Sequence, residues 1–280
     1  MPDLTELHAE FRARPANGIV TMAGYDAAAT PFIESKASAK GQHDDEFVDA
    51  LFDQHELLFA EEQRSVLLVL QGLDCSGKNG TIKHVVIHMN PAGVRTASFT
   101  KPTEEEAEHH FLWRHREQLP NPGQLGVFDR SYYEDAIVPI ALGTLAPDEV
   151  EERINEINEF EQELHESGTT IIKCMLHISY DEQRRRFLRR LRRDDKRWKF
   201  SEADLETRRR WDEFQAAYGD VIGATCTDHA PWIVIPADNK WYRNWAIAAL
   251  LIETMRSMGN AYPQPDFDLD DLRNRLQPPN

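Results

Sequence analysis

Cysteine is scarce in this chain: three in 280 residues, Cys75, Cys174 and Cys226. They lie far apart and form no C-x-x-C pair, so neither a disulfide framework nor a thiolate zinc site is indicated. No apolar run approaches the roughly 20 residues of a membrane-spanning helix. The opening stretch, MPDLTELHAEFRARP, holds no apolar core of the kind that marks a secretory leader, and the expected location is the cytoplasm. Basic charge is in short supply overall, 32 Lys and Arg against 48 Asp and Glu, for a net charge of −16. That balance argues against general nucleic-acid binding and gives weight to any local basic cluster. No internal repeat or low-complexity domain is present. The length suffices for one large domain or two small ones with a full core.

What is present is organised around Ser65 to Lys83, SVLLVLQGLDCSGKNGTIK. An apolar run, Val66 to Leu70, enters a glycine turn, and a helix is predicted to leave it. The turn from Gly72 to Lys78 satisfies G-x-x-x-x-G-K. A buried strand feeding such a turn aims backbone N–H groups and the positive end of a helix at one point, and Lys78 adds a full charge. Gly72, Gly77, Asn79 and Gly80 are therefore candidate phosphate-cradle positions. The hydroxyl expected after the lysine as a Mg²⁺ ligand is missing, because Asn79 stands there. Asp74 lies inside the loop, where a carboxylate beside phosphate needs a cation. It is read as the metal ligand that replaces the hydroxyl. The plainer alternative is a glycine turn with Asp74 as a helix cap. Lys83 either turns a second charge toward a bound anion or is a solvated helix lysine.

Around this stretch the pattern predicts alternating elements. Residues 1–43 read as an irregular arm, packed over the surface or against another subunit. Asp44 to Glu62 reads as a helix laid on the core, and Gly77 to Met89 as the helix ending before Pro91. Val94 to Phe99 reads as a strand. Glu104 to Gln118 reads as a helix with a Thr103/Glu106 capping box. His109 and His110 point in different directions on it, so a metal pair is not expected. Leu125 to Phe128 is a short strand ending in Asp129, the place where phosphate-loop proteins hold Mg²⁺ directly or through water. Arg130 follows and can neutralise charge on a transferring phosphoryl group. The alternative is a helix cap at Asp129 or Ser131 with Arg130 in a surface ion pair. Pro147 to Ser167 reads as a long acidic helix stopped by Gly168, and Thr169 to Ile178 as a buried strand.

Arg184 to Lys199, RRRFLRRLRRDDKRWK, then packs ten basic residues into sixteen positions. Such density repels itself unless an anion is present part of the time. Phe187, Leu188 and Leu191 are expected to tether one face. Asp194-Asp195 reads as the loop at the tip of a helical hairpin, and Ser201 starts a second helix that continues through Tyr218. Two readings compete: a solvated or nucleic-acid-binding charged face, and a lid over the phosphate cradle. The cluster exceeds what one triphosphate needs and suits an extended polyanion. Trp232 to Ile235 is a last strand and Asn239 to Met258 an amphipathic helix. Residues 259–280 read as a Pro-rich acidic tail or a strap over a neighbouring subunit. Five strands, each followed by a helix, predict an α/β fold of the P-loop kinase type: a three-layer α/β/α sandwich with a parallel sheet of about five strands and a helical lid at about 181–218, within a domain spanning 44–258.

With these motifs in hand, the chain resembles the family-2 polyphosphate kinases. The matching pieces are GLDCSGKNGTIK (72–83), KPTEEEAEHHFLWR (101–114), FDRSYYED (128–135), DDKRWKFSEADLETRRRWDEFQAAY (194–218) and APWIVIPADNKWYRNWA (230–246). The resemblance implies reversible, Mg²⁺-dependent phosphoryl transfer between inorganic polyphosphate and a nucleoside mono- or diphosphate, AMP, ADP or a guanine counterpart, with ATP among the nucleotides handled. It implies Asp74 and Asp129 as metal-holding carboxylates, and Lys78 and Arg130 as the cations that stabilise the phosphoryl group. Arg189, Arg193, Lys196, Arg197 and Lys199 follow as polyphosphate-binding lid residues, and Lys101, Arg114, Tyr132 and Glu134 as nucleotide-binding residues. KRWKFSEADLETRRRW is similar to the branch that accepts both AMP and ADP. A homo-oligomer, dimer or tetramer, is implied as well, with neither nucleic acid nor membrane as partner. The competing functions are an ATP-dependent nucleotide or small-molecule kinase, which the basic hairpin disfavours, and a non-catalytic nucleotide or polyphosphate sensor, which the intact Asp74, Lys78, Asp129 and Arg130 set disfavours.

Overall fold

The apolar run before the glycine turn forms β1 (Ser65–Gln71), buried along its whole length. Val66, Leu68 and Leu70 enter one apolar core, and Leu67 and Val69 enter another. A strand covered on both faces has no polar alternation to show, which is why it reads as an unbroken hydrophobic run. In the computed structural model, which describes residues 1–276, β1 is the middle of a five-stranded sheet. The other strands are β2 (Val94–Ser98), β3 (Leu125–Asp129), β4 (Thr169–His177) and β5 (Trp232–Pro236). The order is β2-β3-β1-β4-β5 and every pairing is parallel. Leu70 of β1 lies opposite Asp129 of β3, so the glycine turn and the strand-end aspartate emerge side by side. That is where an open parallel sheet binds ligands.

Helices cover both faces. In chain order they are α1 (Leu4–Phe11), α2 (Lys36–Gln42), α3 (Val48–Glu61), α4 (Lys78–His84), α5 (Glu104–Glu108), α6 (Trp113–Arg116), α7 (Glu134–Leu142), α8 (Pro147–Glu166), α9 (Tyr180–Arg192), α10 (Asp194–Arg197), α11 (Glu202–Arg209), α12 (Trp211–Thr225), α13 (Lys240–Ser257) and α14 (Leu269–Arg275). One core joins the sheet to α1, α3 and α13, the other to α7, α8 and α12. No helix among the described residues is long and apolar enough to cross a membrane.

Several expected elements differ. The arm at 1–43 carries two helices. Leu7 and Phe11 are buried in the core, and the Ala13 N–H donates to Trp232 O of β5 at 2.7 Å. The arm thus covers the edge strand of its own sheet. It approaches α12 so closely that a Cβ on Gly219 or Gly223 would strike the carbonyls of Val20 or Gly18. The helix after the glycine turn ends at His84 and tightens into a 3₁₀ turn, Val86–His88. The β-branched run Val85-Val86-Ile87 gives it little helical support. The helix expected over Glu104 to Gln118 is two short pieces. Between them His109 stacks on Trp113 at 4.1 Å, and His110 reaches Glu156 of α8 at 3.1 Å, which draws the chain off the helical path. The Thr103/Glu106 capping box forms.

In the basic hairpin, Asp194 and Asp195 are not a loop. They open α10, where acidic residues suit the helix N-terminus. The second helix is broken at Arg210 into α11 and α12. Only Phe187 of the expected tethers is buried, and Leu188 and Leu191 are exposed. The tail carries the short exposed helix α14. Residues 277–280, the last of the expected tail, lie outside the described residues.

Candidate active site

The glycine turn needs its glycines. Gly72 leaves β1 at φ +138°, and a Cβ there would lie 2.7 Å from Leu176 O of β4. Gly77 precedes α4 at φ +119°, a conformation that L side chains rarely adopt. Lys78 is buried and folds back, donating from Nζ to Gly72 O at 2.5 Å. Its ammonium thus lies across the loop before any ligand arrives. Asn79 and Gly80 occupy the first turn of α4.

Opposite stands the end of β3. The Arg130 N–H donates to Leu70 O at 3.1 Å, with Arg130 in the left-handed region at φ +65°. This places its guanidinium over the turn, where Nη2 donates to Asp74 Oδ1 at 2.9 Å. Asp129 ends β3 beside Leu70 of β1, four residues before Asp74 in the turn. Glu134, at the start of α7, lies behind them. Burial pushes its carboxyl pKa up, against the pull of Arg130 and Lys78.

The basic hairpin reaches the glycine turn. Lys199 Nζ donates to Asn79 Oδ1 at 3.5 Å. Its pKa is lowered, chiefly by burial and then by the positive charges of Lys83, Lys196 and Arg190. Arg190 is steadied by Asp204 of α11 at 3.3 Å. The self-repulsion expected of ten adjacent cations is relieved internally for six of them. Arg185 and Arg186 pair with Glu182, Arg190 with Asp204, Arg193 and Lys196 with Asp195, and Arg197 with Asp194.

The predicted residues therefore divide. Gly72, Asp74, Gly77, Lys78, Asn79, Gly80, Lys83, Asp129, Arg130, Glu134 and Lys199 come together. Arg193, Lys196 and Arg197 are engaged with the tip's own aspartates. Arg189 makes no ion pair among the described residues; its charge, after burial, is the next cause that lowers the pKa of Lys240, to about 8. Arg114 is buried and donates to Thr100 O at 2.8 Å, with Asp135 at 3.4 Å and Glu106 at 3.6 Å, so it fixes the loop that carries exposed Lys101. Tyr132 departs most from expectation. It is fully buried and donates to Glu161 Oε1 at 2.8 Å, inside the second core.

Sequence reasoning also missed a layer beneath the loop. Gln183 Nε2 donates to Asp74 O at 3.0 Å, and Arg186 Nη1 donates to Cys75 O at 2.8 Å and to Ser76 O at 2.9 Å. Arg243 Nη1 also donates to Ser76 O, at 3.1 Å. Arg186 was visible only as one arginine of the charged run, and Arg243 only as a letter of the motif at 230–246. The thiol of Cys75, within the loop, is pushed up to about 11, chiefly by burial, which makes it a poor nucleophile.

The family profile described as polyphosphate kinase 2 (PPK2) matches residues 35–263. The chain belongs to the polyphosphate kinase 2 family. It is 50% identical over 212 residues to an AMP/ADP-polyphosphate phosphotransferase of Meiothermus ruber, covering 75% of this chain and 79% of that one. It is 40% identical over 250 residues to an ADP-polyphosphate phosphotransferase of Rhodopseudomonas palustris, covering 84% and 85%. The crystal structure of polyphosphate kinase 2 from Arthrobacter aurescens superposes with a TM-score of 0.93 at 38% identity, over 99% of this chain and 98% of that one. The expected α/β fold and the family resemblance are thus both borne out.

Proposed function

We propose that this protein transfers a phosphoryl group between inorganic polyphosphate and a nucleoside mono- or diphosphate, reversibly and with Mg²⁺. The observation that carries the reading is the meeting of three features at the C-terminal ends of β1 and β3: the turn with Asp74 and Lys78, the Asp129-Arg130 strand end, and the basic hairpin whose Lys199 touches Asn79. The family membership supports the same reaction.

The donor set fits Mg²⁺. Among the described residues no three His, Cys, Asp or Glu side chains gather into an all-protein metal cage. Two carboxylates, Asp74 and Asp129, flank the position where phosphate would sit. Mg²⁺ is commonly held by one or two carboxylates, with substrate phosphates and water completing its shell. When bound there it would offset phosphate charge and align the phosphates.

The chain's own groups account for the rest. The transition state is loose, with charge spread over oxygens, so positioning and positive charge carry the rate. Lys78 exchanges Gly72 O for a phosphate oxygen. Arg130, already placed over the turn, follows the charge as it shifts between donor and acceptor oxygens. The attacking phosphate oxygen is ionised near neutral pH, so no strong general base is needed. Glu134 at most orients the acceptor. Lys199, Lys83, Lys196 and Arg190 guide the polyphosphate, whose length suits a cluster larger than one triphosphate requires. Lys101 is the open nucleotide-side cation, with Arg114 holding its loop.

AMP and ADP are both proposed as acceptors, on the KRWKFSEADLETRRRW stretch and on the likeness to the Meiothermus relative. We read residues 44–258 as the kinase domain, with 1–43 and 259–280 as flanking segments. A cytoplasmic homo-oligomer completes the reading. The exposed Tyr262, Phe267 and Leu269 of the tail support contact between copies. The test is incubation with Mg²⁺, long-chain polyphosphate and AMP or ADP, followed by chromatography. ADP and ATP should appear, and no product with either acceptor would sink the reading.

A further inference from the structure

Arg243 is a charged side chain in an unusual place. It is only 2% exposed, and among the described residues no carboxylate pairs with it. Its fork is held on one side by Asn244 Oδ1, at 3.2 Å from Nε and 2.7 Å from Nη2. On the other side Nη1 donates to Ser76 O at 3.1 Å. The guanidinium fills the space that a side chain on Gly77 would need, and a Cβ on Gly80 would lie 2.9 Å from Nη2. Arg186 reaches the same Ser76 oxygen from α9, at 2.9 Å, and is itself anchored by Glu182 at 2.7 Å and by Ala237 O and Asp238 O. Two guanidinium groups thus converge on one carbonyl, although buried like charges repel. Burial and Arg186 together pull the Arg243 pKa down to about 9, so the arrangement is costly.

A trans peptide points its C=O and the following N–H in opposite directions. Holding Ser76 O beneath the loop therefore turns the Gly77 N–H upward into the cradle, and that N–H has no protein acceptor among the described residues. Gln183 holds a carbonyl two residues earlier, Asp74 O.

We propose that Arg243 and Arg186 are positioning residues that fix the Ser76–Gly77 peptide so that its N–H is presented to a phosphate oxygen. The inference rests on reading the loop as a phosphate site, but not on the nucleotide reaction. It also explains Gly77 twice over, by its positive φ and by the guanidinium in its side-chain space. The root of α9 is thereby tied to the loop by Gln183 and Arg186.

The chain contains two Ser-Gly pairs, Ser76-Gly77 and Ser167-Gly168. Protein labelled with carbonyl-¹³C serine and ¹⁵N glycine therefore gives two peptide signals, one of them an internal control. In the parent, inorganic tripolyphosphate should move the 76–77 signal and leave the 167–168 signal in place. In Arg243→Met the free-state carbonyl shift of Ser76 should change, the tripolyphosphate response of Gly77 should fall several-fold, and binding should weaken tenfold or more. Added guanidinium ion should restore part of the response. A stationary 76–77 signal in the saturated parent overturns the proposal. So does a folded Arg243→Met protein whose 76–77 response stays within twofold of the parent's. If Arg243→Met does not fold, Arg243→Lys and Arg186→Lys are read by the same criteria. A parent that binds tripolyphosphate through this peptide yet forms no nucleotide product would refute the reaction and leave this inference standing.

Discussion

Lys173 and Glu161 form an ion pair at 2.6 Å in which both side chains are fully buried. Lys173 uses all three donors, on Glu161 Oε2, on Tyr133 Oη at 2.9 Å and on Thr225 O at 2.7 Å. Glu161 Oε1 accepts from Tyr132 at 2.8 Å and from Tyr133 at 2.6 Å. The network ties β4, α8 and the end of α12 to the residues just after Asp129-Arg130. Burial drags the Lys173 pKa down and Glu161 draws it back up, so each charge depends on the other. Lys173→Met leaves an uncompensated buried carboxylate, and breaking such a pair costs about 3–5 kcal/mol. At ~2–4 °C per kcal/mol for a chain of this size, the melting temperature should drop by roughly 10 °C. Urea unfolding followed by tryptophan fluorescence should show a lower midpoint with an unchanged slope. In Lys173→Met/Glu161→Leu both charges are gone, so the double variant should lose less than the sum of the singles by about 2 kcal/mol. A single variant within about 1 kcal/mol of the parent, or additive singles, would refute the reasoning.

Other expectations follow from the same geometry. Tyr132→Phe removes a buried hydroxyl and not a ligand contact, so it should cost about 1–3 kcal/mol of stability while KM for the nucleotide stays within about twofold. A large KM change with unaltered stability would return Tyr132 to the substrate. His115 is fully buried beside Phe99, and burial holds its pKa at about 3 against 6.5 in the unfolded chain. The unfolded state therefore takes up this proton first as pH falls, and stability is lost from pH 6.5 downward toward pH 3. Between pH 7 and pH 5 this group should account for about 2 kcal/mol, a loss that His115→Phe should not show in paired denaturation curves. Lys199→Ala should raise KM for polyphosphate about tenfold and flatten its salt dependence, whereas Arg193→Ala, whose partner is Asp195 in the same tip, should change KM less than about twofold. Equal effects of the two would contradict the assignment of Lys199 to the loop.

The fold was legible because its central strands are buried on both faces and its glycine turn has a fixed spacing. The placing of Asp74 and Lys78 in the turn after β1, and of Asp129 and Arg130 where β3 ends, was legible from the spacing of the glycines and the apolar runs before them. Tyr132 was not, because its partner Glu161 lies 29 residues away on an acidic helix that reads as solvated. Arg243 was not, because the carbonyl it holds is 167 residues distant and a backbone oxygen carries no sequence signal. Charge density revealed the hairpin but not its internal accounting, in which Asp194, Asp195 and Asp204 neutralise residues that looked free. Leu188 and Leu191 have helical spacing for a tether, yet Phe187 alone finds a packing partner, Phe200 of the same hairpin.

The central claim is that the Asp74 turn and the Asp129-Arg130 strand end form one phosphoryl-transfer centre served by polyphosphate. A ³¹P NMR time course with Mg²⁺, polyphosphate and AMP, run on the parent and on Asp74→Asn, tests it directly. The account predicts that a β-phosphate signal of ADP grows in the parent at the expense of polyphosphate, and that Asp74→Asn slows it by roughly 100-fold or more while remaining folded. An Asp74→Asn protein with a near-parental rate would contradict it.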